Sequence, residues 1–178
     1  NSFANEAFMD ELVAAAKADP LEYRLRYMKD PRAIEAIQTA AKLANWQARP
    51  GPNPSAGSGD VVKGRGIAYM RYNNTITYVA AVAEVEVTKS TGAIKVTRIC
   101  MAHDCGEMVN PDGVANQVEG GILQTVSRTL MENVTWDRTK VTSVDWATYP
   151  ISRFPDMPKV EIALLDRPGA AAWGAGEP

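Results

Sequence analysis

HDCGEMVNPDGVANQVEGGILQTVSRTLME, residues 103–132, decides how the rest of the chain is read. Asn110 is suited to cap a helix, and Pro111 falls at the first helical position, where a missing N–H costs nothing. Val114, Val118, Ile122, Val126 and Leu130 then recur at helical spacing, which predicts a helix running to about residue 132 with that stripe buried. The other side carries Gly113, Gln117, Gly120, Gly121, Gln124 and Arg128 on one face by the three-and-four rule. Each interior glycine weakens a helix by roughly 1 kcal/mol relative to alanine, so the pair implies that something approaches the backbone closely. A neighbouring helix would satisfy this. So would a ligand lying across Gly120 and Gly121, with Gln117 and Gln124 as flanking donors and acceptors.

Upstream, the pattern is that of strands. Residues 67–72 and 77–88 alternate, residues 89–92 make a turn, and residues 93–101 return as a further strand that leads directly to His103. Downstream, residues 135–143 suggest a short hairpin around Asp137-Arg138. The stretch WATYPISRFPDMP, 146–158, holds three prolines and reads as an ordered extended connection. A strand follows over 159–166, then small residues over 167–172, then WGAGEP. At the other end, residues 5–18 place Phe8, Met9, Leu12, Val13 and Ala16 on one side of an amphipathic helix. Asp19-Pro20 and Asp30-Pro31 start two more helices. The expected division is a helical unit over 1–49, a Pro/Gly/Ser linker over 50–60 and an α+β part over 61–178, with a mixed sheet packed on the glycine-faced helix.

Composition excludes several function classes. The 19 basic and 21 acidic residues are interspersed, so no nucleic-acid groove or anionic-membrane patch stands out. No apolar run approaches the ~20 residues of a membrane span. The chain begins without Met and enters a helix at once, so it is read as part of something longer. Cys100 and Cys105 match the opening of a plant-type iron–sulfur motif, but no third and fourth cysteine follow, and buried thiols are the plainer reading. His103 is the only histidine, which leaves a zinc site or a serine–histidine triad without partners. No metal ligand is assigned in this chain.

The ordered set of motifs is more specific than any one of them. DCG at 104–106, NP at 110–111, QVEGG at 117–121, YPISRFPDMP at 149–158, a strand, and GAGEP at 174–178 together resemble the C-terminal part of the molybdopterin-binding large subunits of the xanthine dehydrogenase and aldehyde oxidase family. FMDELVAAAKADPLEYRLRYMKDP, 8–31, looks most similar to the bacterial isoquinoline 1-oxidoreductase and aldehyde dehydrogenase beta subunits. The resemblance implies a fragment of a molybdenum hydroxylase that oxidises an N-heterocycle or an aldehyde with water as the oxygen source. By the same resemblance, Glu177 acts as the base on Mo–OH, Gln117 contacts the cofactor, and Gly120 and Gly121 let it approach. It further implies a molybdopterin cofactor in the cytosine dinucleotide form. The remainder of the large subunit would be a partner, as would an iron–sulfur subunit carrying the clusters. The fragment by itself would be inactive, and its compartment, bacterial periplasm or cytoplasm, stays open. The alternative is a non-catalytic assembly half-domain whose glycine-faced helix packs against another subunit. The Gln117–Glu177 pair separates the two, since a site requires both to face one cavity.

Overall fold

The computed structural model describes residues 1–54, 56–73 and 76–176. Its first helices are α1 (Ser2–Ala15), α2 (Pro20–Tyr27) and α3 (Pro31–Leu43). Both Asp-Pro pairs act as helix starts: Asp19 accepts from the amides of Leu21 and Glu22, Asp30 accepts from that of Arg32, and proline occupies the first turn in each case. The first helix departs from expectation. Of its apolar face only Val13 is buried, while Phe8 is 60% exposed and Leu12 is exposed as well. Charge anchors α1 instead, because the buried Arg24 guanidinium donates to Glu6 and Asp10 from across the α1–α2 junction.

The sheet is a meander of β1 (Val61–Tyr72), β2 (Thr77–Thr88) and β3 (Ala93–Asp104), followed by α4 (Pro111–Leu130) and β4 (Lys159–Leu164). The order is β1-β2-β3-β4, antiparallel except for β4, which runs parallel to β3. A parallel pair needs a long crossover, and α4 with the segment after it provides one. Two strands are longer than the alternation indicated. β1 starts at Val61 rather than 67, paired with Thr88, and β3 continues past Met101 because Ala102 and His103 pair with Ala163 and Leu164. The expected 135–143 hairpin is reduced to a bridge between Trp136 and Val141.

Strand alternation divides the core between the two sheet faces. On one, Ala80, Val82, Cys100 and Ala102 meet Ala33, Ala36, Ile37 and Ala40 of α3, whose small side chains let the helix lie close. Thus α3 shares a core with the sheet. On the other, Ala81, Ala83, Ile99 and Met101 face α4, whose Val118, Ile122 and Val126 are buried. Full burial of each such aliphatic side chain is worth about 1.5–3 kcal/mol, so the stripe read in the sequence fastens α4 to the sheet. The whole is α+β with helices on both faces of a mixed sheet. Among the described residues no helix is long and apolar enough to cross a membrane.

Candidate functional site

The site begins where β3 ends. Asp104, wholly buried, closes the strand, and Gly106 turns the chain at φ +83°, a left-handed conformation that favours glycine. Asn110 then caps α4, its side-chain oxygen accepting from the Gly113 amide at 3.0 Å. Pro111 occupies the first turn.

The segment after β4 folds back over this turn as a strap. The amides of Leu165, Arg167 and Trp173 donate to the carbonyls of His103, Gly106 and Cys105 at 2.9, 3.1 and 2.9 Å. Side chains add to the stitching: the Met108 amide donates to Asp166 at 2.8 Å and the Gly169 amide to Glu107 at 3.1 Å. Between strap and α4 lies a cleft of about 330 Å³, lined by Cys105, Met108, Asn110, Gly113, Gln117 and Trp173 among others. Ala175 also lines it, and a Cβ built on the next residue, Gly176, would lie 3.1 Å from Gln117 Nε2.

Electrostatics explain why the strap holds. Asp104 accepts from Arg32 of α3 at 2.6 and 3.0 Å, from Arg167 of the strap at 2.9 Å and from the Gly106 amide at 3.1 Å. Burial alone would raise its carboxyl, but the bonds from Arg32, Gly106 and Arg167 outweigh that and hold it below the usual range. Arg167 also donates to Glu35 at 2.6 Å, so the strap is tied to α3 as well as to β3. His103, next in line, is different: it is 1% exposed, and among the described residues neither ring nitrogen has a hydrogen-bond partner. Burial pushes its pKa down to about 4 against the opposing pull of Asp104, which keeps the imidazole neutral. Cys100 and Cys105 are buried free thiols, both raised above their ordinary value by burial.

A family model described as a molybdopterin cofactor-binding domain matches residues 5–158. The chain belongs to that family. A nicotinate dehydrogenase subunit of Pseudomonas putida is 42% identical over 99% of this chain, which spans 15% of that relative's length. The beta subunit of isoquinoline 1-oxidoreductase from Brevundimonas diminuta is 32% identical over 96% of the chain, or 21% of its own length. Among solved structures, quinoline 2-oxidoreductase from Pseudomonas putida 86 aligns with 57% of this chain and 14% of that one, at 33% identity and a TM-score of 0.53. The chain therefore corresponds to a small part of the relatives it matches.

Within this molybdopterin-binding domain, the residues singled out in the sequence fall as follows. Gln117 is exposed on α4, its Nε2 3.1 Å from where a Cβ on Gly176 would stand. Gly120 is exposed, and Gly121 is half-buried along an apolar groove of about 300 Å³ between α4 and the β2–β3 face. Successive helical residues are about 100° apart, so the two glycines straddle the edge of the helix instead of sharing a line. Apart from the nearby backbone of α4 itself and the adjoining residues, no described atom lies within 4 Å of a Cβ placed on either one. Glu177 lies outside the described residues; it follows Gly176 directly in the chain. The sequence reading did not single out Arg32, Gly106, Arg167 or Trp173. Gly106 was visible as the third residue of DCG, but Arg32 stands 72 residues from Asp104, and no local pattern marks such a pair.

Proposed function

We propose that this domain is part of the large subunit of a molybdenum hydroxylase that oxidises a carbon next to nitrogen in an N-heterocycle, or an aldehyde carbon, using oxygen from water. The observation that carries the reading is that Gln117 and Ala175, the latter two residues before Glu177 in the chain, line one cleft, which supports a site that draws on both motifs. The names of the relatives support the heterocycle side: nicotinate, isoquinoline and quinoline each contain a ring nitrogen that makes the adjacent carbon electrophilic.

The residues present suit such a cofactor. Gln117 offers an exposed amide with two donors and an acceptor, and the open space over Gly120 leaves α4 backbone accessible to a bulky ligand. When bound, the cofactor supplies the two-electron oxidation, as is usual where hard chemistry is delegated to a prosthetic group. The chain's own part is to orient and to move a proton. Gln117 would hold the cofactor, Gly120 and Gly121 would admit it, and a carboxylate oxygen of Glu177 would take up the proton given up by the water that supplies the oxygen. The cofactor is read as the cytosine dinucleotide form. Iron–sulfur clusters for electron removal are placed on a partner subunit, and the remainder of the large subunit completes the pocket.

Replacing Glu177→Gln in the intact parent enzyme tests this. Loss of a positioned base predicts a fall in kcat of about a hundredfold to ten-thousandfold, with molybdenum and pterin content retained. Near-normal turnover would overturn the assignment. The second reading is an assembly half-domain whose glycine-faced helix packs against another subunit, and the open space over Gly120 and Gly121 would admit such a partner. It predicts a parent complex that holds no metal.

A further inference from the structure

We propose that Gly106 is a positioning residue for the Glu177-bearing strap, with Asp104 and Arg167 as its clamp; this rests on the function proposed above. Gly106 has φ +83°, and a Cβ placed there would overlap the carbonyl oxygen of Ala171. That neighbour is backbone, so the strap itself would have to move away. The carbonyls flanking the contact are the ones that hold the strap: Cys105 accepts from the Trp173 amide and Gly106 from the Arg167 amide. Asp104 ties both sides together, accepting from the Gly106 amide and from Arg167 Nε while Arg32 fixes it to α3. From Trp173 the strap has only three more residues before Glu177, and a Cβ placed on Gly176 would lie 3.1 Å from Gln117 Nε2. Displacing the Ala171 carbonyl would therefore shift the strap between its Arg167 and Trp173 anchors, four residues before Glu177 in the chain.

A misplacement of about 1 Å in a reacting group can cost about a hundredfold in rate. For Gly106→Ala in the intact parent enzyme, kcat is expected to fall about tenfold to a hundredfold. KM and molybdenum content should stay within about twofold, the pattern of an interaction lost only in the transition state. Amide hydrogen exchange gives a readout independent of turnover: the Trp173 and Arg167 amides should exchange faster while those of β3 stay protected. Unchanged kcat and exchange, or a loss of turnover that tracks a loss of molybdenum, overturns the proposal.

If Gly106→Ala does not accumulate, Arg167→Met leaves Asp104 paired with Arg32 and loosens the strap alone. It should lower kcat with molybdenum retained, and Arg167→Lys should recover most of the loss; wild-type turnover in Arg167→Met overturns the proposal. Failure of the underlying function is distinguishable. If Glu177→Gln stays active, the base assignment falls whatever these variants do. If Glu177→Gln is inactive and the strap variants are normal, the positioning role alone falls.

Discussion

His103 shows how one residue carries both a structural and a pH consequence. Strand alternation places it on the α4 face of β3 after Ile99 and Met101, where it is buried with no partner for either nitrogen among the described residues. The unfolded chain binds a proton near the ordinary 6.5, whereas the folded chain resists until about 4. Stability is therefore unaffected by this group above about pH 6.5 and is lost as the pH falls from there, by about 3 kcal/mol once protonation is forced. His103→Gln in the parent subunit should flatten the decline of the unfolding midpoint between pH 6.5 and 4; an acid limb identical to that of the unaltered protein would show that His103 does not drive it. Asp104 titrates in the same direction, since its folded-state carboxyl is depressed and its contribution is lost as the pH falls through that lowered value. Asp104→Asn would leave Arg32 and Arg167 without their shared anion, an expected loss of about 3 kcal/mol in unfolding free energy at neutral pH by denaturant titration. The sequence named His103 and Asp104 as neighbours of the glycine-faced helix. It carried no sign that two arginines from distant elements converge on Asp104, because such pairs arise only when α3 and the strap meet over β3.

At the scale of elements, local signals were read well where they were local. The Asp-Pro starts of α2 and α3, the Asn110 cap and the Val118–Ile122–Val126 stripe of α4 all appear in the structure. The apolar face of α1 was legible as a pattern, but not its fate: within this chain the Glu6 and Asp10 pairs with Arg24 hold the helix, and Phe8 remains outside. The glycine pair of α4 is the sharpest case. Periodicity raised ligand and helix as alternatives, and the structure leaves the space over Gly120 open to either. In an otherwise unconstrained helix Gly120→Ala would add stability of roughly 1 kcal/mol. The functional account predicts that this variant of the intact enzyme instead loses bound molybdenum and pterin, read by metal analysis beside the unfolding midpoint. Higher stability with full cofactor content would show that nothing lies across the glycine.

For the whole molecule, the mixed sheet acts as the frame between α3 and α4, and the strap after β4 is tied to β3 and α3 through Asp104 and Arg167. The frame brings Gln117 and Ala175, 58 residues apart in the chain, to one cleft. That convergence was accessible to sequence reading only through resemblance, because strand and helix periods say nothing of which ends meet. The exposed Trp136, Val144 and Phe154 belong to the same picture of a domain embedded in a longer subunit, since the chain spans 15% and 21% of two relatives it matches. The most direct test is the molybdenum and pterin-nucleotide content of the intact parent complex purified from its own host. The account predicts near-stoichiometric molybdenum with a cytosine dinucleotide; a complex that is metal-free and stays so after cofactor loading would contradict it, leaving the fold as an assembly module and Glu177 without a role.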